Sequence, residues 1–221
     1  SASAGAVTID NTHPTATAAV LAIAGSGNGN NGDSMTLTIT PSEAIGTPTC
    51  VFKSGGAAMA NTVGYSTSGS DHICTIAVAD ADTNGAVTFT LDFSDSAGNA
   101  ATQVTSASAG SVTIDNTHPT ATAAVLAIAG TGNGNNGDSM TLTITPSETI
   151  GTPTCVFKSG GATMANTVSY STSGSDHICT IAVADADTNG AVSLTLDFSD
   201  SAGNAATQVT SASAGSVTID N

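Results

Sequence analysis

The chain has 221 residues, of which 17 are acidic and 2 are basic, so its formal net charge at pH 7 is −15. This balance excludes the basic surface that neutralises phosphates, and we expect neither nucleic acid nor an anionic membrane as a partner. The mean hydropathy of +0.17 is too apolar for an acidic disordered tail. The longest apolar stretch, 18–24, is far shorter than the roughly 20 residues that span a bilayer, so we expect a soluble chain without membrane insertion.

Short runs of alternating apolar residues, separated by Gly, Asn, Asp and Pro, fill the first half of the chain. Such alternation is typical of strands with one buried face, and no stretch has a convincing helical periodicity. The predicted strands are, in chain order, 16–24, 34–40, 48–53, 61–67, 72–79, 86–93 and 102–115. About seven short strands predict an all-β sandwich.

Successive side chains of a strand point to opposite faces, so the same alternation predicts the core. Outward positions are mostly Thr and Ser, as at Thr36, Thr38 and Thr88. The predicted inward residues are Met35, Leu37, Ile39, Cys50, Phe52, Cys74, Ile76, Val78, Val87, Phe89, Leu91, Phe93, Val112 and Ile114.

The second half of the chain repeats the first with a period of 105 residues and only seven substitutions. A period of this length matches one self-contained sandwich domain and is too long for a solenoid unit. Pro14 and Pro119 follow Asp-Asn-Thr-His, which we interpret as the joint between repeats. The predicted domains are 11–115 and 116–220, with 1–10 as the last strand of a preceding repeat in a longer protein.

Four motifs, DNTHPTATAAV, GDSMTLTITPSEAI, DADTNGAVTFTLDFSD and SAGNA, resemble the tandem bacterial immunoglobulin-like repeats of large extracellular adhesins and surface filament proteins. The resemblance covers essentially the whole chain. It implies two tandem immunoglobulin-like β-sandwich domains on the cell surface. The two cysteines per repeat depart from that family, in which most repeats lack cysteine.

Each repeat contains two cysteines, Cys50 with Cys74 and Cys155 with Cys179. Both members of a pair face inward by strand alternation, and the composition suggests an exported protein, which favours a disulfide within each domain. Buried free thiols are the weaker alternative. Zinc is weaker still, because the spacing lacks a CxxC pair.

Carboxylates cluster at the ends of the predicted strands. The segment 80–85 matches the first half of a calcium loop, but Leu91 in its twelfth position excludes an EF-hand. If strands alternate in direction, the carboxyl end of the first domain and the amino end of the second meet at the joint, where a hard cation could bind oxygen ligands. The residues predicted for this interdomain calcium site are Asp80, Asp82, Asp115, Asn116, Glu148, Asp200 and Asn204. Solvated acidic turns without metal remain the alternative.

Neither covalent nor catalytic chemistry is indicated by the remaining residues. Lys53 and Lys158 are the only basic side chains, and the parity of Lys53 predicts a surface lysine, not an isopeptide bond. The chain has no GxSxG motif and no Trp for a sugar platform, so an enzyme or lectin is not supported.

These observations predict a structural spacer of an extracellular adhesin or cell-surface stalk, built of rigid tandem domains. Its partners would be neighbouring identical repeats of the same chain. The alternative is a building block of a polymerised extracellular filament, in which like chains pack laterally or exchange strands.

Overall fold

The computed structural model describes residues 8–25, 27–130 and 133–221, and these residues form strands and turns without any helix. The chain divides into two compact units, Ser1–Asn116 and Thr117–Asn221. Within the described residues, no helix is long and apolar enough to cross a membrane. Most of the hypothesised strand 1–10 lies outside the described residues, and residues 8–10 have no regular secondary structure.

The first unit is a sandwich of two sheets. Its strands are β1 Ala16–Ile23, β2 Asn28–Gly29, β3 Ser34–Pro41, β4 Thr49–Ser54, β5 Ala57–Ala58, β6 Gly64–Ser68, β7 Asp71–Ala77, β8 Gly85–Asp92 and β9 Thr113–Ile114. One sheet has the order β1-β3-β7-β6 and the other has the order β2-β9-β8-β4-β5. Pairing is antiparallel except between β2 and β9, which are parallel.

The second unit has the same elements one period later. Its strands are β10 Ala121–Ile128, β11 Asn133–Gly134, β12 Ser139–Pro146, β13 Thr154–Ser159, β14 Ala162–Thr163, β15 Ser169–Ser173, β16 Asp176–Ala182, β17 Gly190–Asp197 and β18 Thr218–Ile219. The sheet orders are β10-β12-β16-β15 and β11-β18-β17-β13-β14. Two nearly identical sequences thus form the same fold.

The core lies between the two sheets of each unit, and the predicted inward face is confirmed. In β3, Met35, Leu37 and Ile39 are fully buried, whereas the threonines between them are partly exposed. Val87 is the exception among the predicted residues, because it is only partly buried and packs against the margin of the core. Burial of these alternating side chains supplies the main favourable term for folding.

A disulfide joins the two sheets within each unit, as the cysteine pattern predicts. Cys50 of β4 is bonded to Cys74 of β7, with the Cα atoms 6.5 Å apart. Cys155 and Cys179 form the equivalent bond in the second unit. Because the bonded strands belong to different sheets, each disulfide directly links the two layers of the sandwich.

The prediction of one long last strand, 102–115, is wrong. Val104 forms a bridge to Leu91 in one sheet, whereas Ala109 forms a bridge to Val20 in the other. Only Thr113–Ile114, which is β9, is a regular strand. The segment changes sheets instead of following one, and an alternating pattern cannot reveal which sheet each residue joins.

Gly110 makes this change of sheet sterically feasible. Its φ is +82°, a conformation that disfavours other residues, and an added Cβ would collide with the carbonyl oxygen of Leu21. The backbone at this position therefore lies directly against β1.

Candidate functional site

The last residues of the first unit are tied to the loop between β7 and β8. The side-chain amide of Asn84 donates to Oδ1 of Asp115 at 3.0 Å, and Asn84 Oδ1 accepts from the backbone amide of Asn116 at 2.8 Å. The side-chain amide of Asn116 donates to the carbonyls of Ala79 and Asp82 at 3.0 and 3.1 Å. The end of the first repeat is thereby held to its own domain.

The same loop is organised by Asp82, one of the predicted metal ligands. Asp82 is buried, and its two carboxylate oxygens accept from the backbone amides of Ala60 and Ala79, both at 2.8 Å. Asp80, by contrast, is exposed. The observed contacts of Asp82 are those of a carboxylate that closes a turn.

The segment that leads into the first sandwich is tied to the opposite loops of that domain. The side-chain amide of Asn99 donates to the carbonyl of Asp10 at 3.0 Å. Nδ1 of His13 lies 2.8 Å from the carbonyl of Ala100; because a carbonyl only accepts, Nδ1 carries the proton. Residues 10–13 are therefore part of the domain that follows them.

The second unit holds its leading segment in the same way. Nδ1 of His118 lies 2.7 Å from the carbonyl of Ala205, and the backbone amide of Thr120 donates to Oγ of Ser147 at 2.9 Å. Asn116 is tied to the first unit and His118 to the second. In sequence, Thr117 alone separates these two anchored residues.

Three carboxylates of the first unit, Asp10, Glu43 and Asp95, form a cluster in which one oxygen from each lies within 4.8 Å of the others. Asp10 is exposed, Glu43 is half-buried and Asp95 is buried. Oε1 of Glu43 is itself buried and has no hydrogen-bond partner. Three carboxylates are therefore held together, and one of them, Glu43, has a buried oxygen without a hydrogen-bond donor.

Asn99 favours the ionised form of Asp95. Its backbone amide and its side-chain amide donate to the two carboxylate oxygens of Asp95, both at 2.8 Å. The side-chain hydrogen bond from Asn99 is the main cause that lowers the pKa of Asp95, and backbone amides of the same loop add to it against the opposing effect of desolvation. The carboxylate is thus charged at neutral pH.

Three of the predicted calcium ligands, Asp115, Glu148 and Asp200, stand one period after Asp10, Glu43 and Asp95 in the sequence. Asn204 corresponds in the same way to Asn99. In the second unit, Oδ1 of Asp200 accepts from the backbone amide of Asn204, and Oδ2 accepts from its side-chain amide. Sequence reasoning overlooked the first-repeat counterparts, although subtraction of the period would have found them.

The donor set of this cluster fits a hard divalent cation. Calcium prefers carboxylate and other oxygen ligands in a flexible geometry. Asp10, Glu43 and Asp95 supply only oxygens, and the buried Oε1 of Glu43 is an acceptor that a cation would satisfy. Asp80 and Asp82 belong to no carboxylate cluster of this kind within the part of the chain that the structure describes.

No protein-family model matches the sequence, and no curated protein matches it either. Among solved structures, the chain is similar to an I-band fragment from titin, with 12% identity and a TM-score of 0.49 over 96% of this chain and 66% of that one. It is also similar to titin domains z1z2 in complex with telethonin, with 18% identity and a TM-score of 0.32 over 96% and 97% of the two chains.

A third similar structure is the full ectodomain of mouse nectin-like molecule 4, with 12% identity and a TM-score of 0.33 over 92% of this chain and 64% of that one. The matched part of the chain thus spans less than two thirds of this ectodomain and of the titin I-band fragment. Each unit places its strands in two facing sheets joined by a buried disulfide. The chain is a tandem pair of immunoglobulin-like β-sandwich domains.

Proposed function

We propose that the chain is a structural spacer whose tandem domains extend a cell-surface adhesin or stalk away from its anchor. The carrying observation is the short link between the anchored residues: Asn116 is bound to the first unit, His118 to the second, and Thr117 alone lies between them in sequence. A link of this length restricts the freedom that a flexible linker would allow.

The position of the protein outside the cell is part of this proposal. Two disulfides are formed, and such bonds persist mainly in oxidising environments such as the cell surface. The side chains that carry the proposal bind backbone groups and one another instead of surrounding a reactive group. We therefore assign the chain a mechanical role and no enzymatic activity.

The spacer is tested by lengthening its joint. A Gly-Gly-Ser insertion after Thr117 should broaden the distribution of interatomic distances in small-angle scattering. The ensemble fitted to these data should also cover a wider range of radii of gyration. The same insertion in the two-residue turn between Gly69 and Ser70 lies inside the first unit and is the matched control. If the unaltered chain already scatters as a fully flexible pair, the spacer proposal fails.

Calcium is the cofactor that we propose for the acidic cluster. Asp10, Glu43 and Asp95 would bind it in the first repeat, and the repeat supplies Asp115, Glu148 and Asp200 as the corresponding ligands. A bound divalent cation would offset the repulsion among these carboxylates and would tie the segment before each domain to that domain. Stiffening of the joint by calcium follows from this attachment.

Glu43 and Glu148 are the only glutamates in the chain, which makes a specific test straightforward. Calcium should raise the melting temperature of the natural chain, because a ligand that binds only the folded state stabilises it. The Glu43→Gln/Glu148→Gln variant should lose this shift. Asp92→Asn/Asp197→Asn removes the same charge from exposed carboxylates bound to Gln103 and Gln208, and should keep it. Equal shifts in all three proteins would contradict the calcium proposal.

A further inference from the structure

The β1-β3-β7-β6 sheet has one covered edge, β1, and one exposed edge, β6. Along β1, the backbone amide of Leu21 donates to the carbonyl of Ala109 at 3.0 Å, and the amide of Ser108 donates to the carbonyl of Ala19 at 2.8 Å. The segment after β8 therefore covers this edge. The other edge, β6, has all five of its residues exposed.

The turn between β6 and β7 determines which backbone groups of β6 face outward. Gly69 has a φ of +62° in a two-residue turn, as a type II′ turn requires, so Ser68 and Asp71 form the hydrogen-bonded closing pair. Antiparallel pairs alternate along the ladder. The amide and carbonyl groups of Tyr65 and Thr67 consequently point away from β7.

These outward groups have no hydrogen-bond partner among the residues that the structure describes. Natural sheets usually protect an exposed edge with charged residues, proline or a very short strand. The edge strands β2 and β5 of the facing sheet are two residues long. β6, with the sequence GYSTS, has none of these protections.

Charge does not prevent a second copy of the chain from approaching this edge. The chain carries a net charge of −15, so two copies repel one another over most of their surfaces. β6 has no charged residue, and the neighbouring carboxylate of Asp71 accepts a hydrogen bond from Oγ1 of Thr40 within the domain. β6 is a neutral five-residue strand on which two acidic chains can approach.

The strand is also complementary to itself. An antiparallel pairing centred on Ser66 places Tyr65 opposite Thr67 of the second copy, on the same face of the joined sheet. A cleft of about 210 Å³ is lined on that strand by Tyr65 and Thr67 and beside it by His72. The second copy's Tyr65, which is about half exposed in the single chain, would cover this cleft.

We propose that β6, and β15 in the second repeat, are the edges through which a second copy of this chain pairs to form a continuous sheet across two molecules. β15 has the sequence SYSTS, has all five of its residues exposed and pairs with β16 in the same register. A two-repeat chain thus offers two such edges and can join more than one neighbour. The lateral pairing depends neither on calcium nor on the stiffness of the joint.

The test is the mass of the natural chain in sedimentation over a wide range of concentration, at low and at high ionic strength. We expect dimers and larger species that increase with concentration and with salt, because salt screens the repulsion between the acidic copies. The backbone amides of Tyr65 and Thr67 should exchange hydrogen more slowly as association proceeds.

Two variants test whether the copies associate through this edge or through another surface. Thr67→Glu/Thr172→Glu adds a negative charge to each neutral edge strand, next to an acidic partner, and should abolish association without lowering the melting temperature. Ala22→Glu/Ala127→Glu adds the same charges to exposed positions of β1 and β10, the opposite edges, and should associate like the natural chain. A monomer at every concentration in high salt overturns the proposal, as does association that survives Thr67→Glu/Thr172→Glu. A rigid monomer would leave the spacer proposal standing.

Discussion

Asn84 and Asn116 face each other at the end of the first repeat, where Oδ1 of Asn84 accepts a 2.8 Å hydrogen bond from the backbone amide of Asn116. The side chain of Asn116 continues the contact by donating to two carbonyls of the same loop. Asn189 and Asn221 repeat this relationship at the end of the second domain, with a distance of 2.9 Å. One pair lies directly before the second unit, and the other lies at the far end of that unit in sequence.

This difference provides a controlled test of the joint. Asn116→Ala removes the two side-chain hydrogen bonds and should destabilise the first unit by about 1–2 kcal/mol. Asn221→Ala removes the equivalent bonds to Ala184 and Asp187 and should cost the second unit a similar amount. Only Asn116→Ala should increase flexibility in small-angle scattering. If both variants scatter alike, the contacts of Asn116 do not restrain the joint.

Acid should weaken the loop that contains Asp95. Folding lowers the pKa of this carboxyl group, chiefly through the side-chain hydrogen bond from Asn99. The stability gained this way is present above the unfolded-state pKa near 3.9 and is lost as the pH falls through the lower folded-state value. Urea unfolding of the natural chain should therefore become easier below about pH 4.

The neutral variant Asp95→Asn isolates this contribution from that of the other carboxylates. It should show a smaller loss of stability between about pH 5 and pH 3 than the natural chain. Asp92→Asn, at an exposed position, should retain the natural pH dependence of the Asp95 loop. Identical pH profiles for Asp95→Asn and the natural chain would show that this hydrogen-bonded carboxylate is not responsible.

Loss of one disulfide should weaken one domain and spare the other. The bond between Cys50 and Cys74 closes a loop with a sequence separation of 24 residues, which corresponds to about 3 kcal/mol in the chain-entropy model. Cys50→Ala/Cys74→Ala should lower the denaturant midpoint of the first unit and separate the unfolding curve into two transitions. Cys155→Ala/Cys179→Ala should do the same to the second unit. A midpoint unchanged by both pairs of substitutions would contradict this role.

Gly110 should tolerate no side chain. Gly110→Ala combines a positive φ with a collision against the carbonyl of Leu21, and we expect a loss of about 2–3 kcal/mol in the free energy of unfolding. Gly32→Ala is the matched control, because Gly32 has a φ of +94° but nothing within 4 Å of an added Cβ. Its expected cost is about 1 kcal/mol, from the backbone conformation alone. If chemical denaturation shows that both variants lose the same free energy of unfolding, the backbone conformation alone accounts for the effect, and the collision with Leu21 contributes nothing.

Alternation along the strands was sufficient to predict the all-β class and nearly all of the core. Met35, Leu37 and Ile39 occupy every second position of β3, and a strand that is buried on one face has no other regular way to place them. The two cysteines per repeat were similarly informative, because both positions fell on inward faces of predicted strands. The period of the apolar residues along a strand indicates which face of that strand is buried.

Tertiary structure alone decided what happens where the chain leaves that periodicity. The segment 102–115 meets both sheets in turn, and its contacts with Leu91 and Val20 join residues far apart in sequence. The anchoring of Asn116 to Ala79 and of His13 to Ala100 is equally remote along the chain. Such hydrogen bonds depend on how loops meet in space, and a one-dimensional pattern does not contain that information.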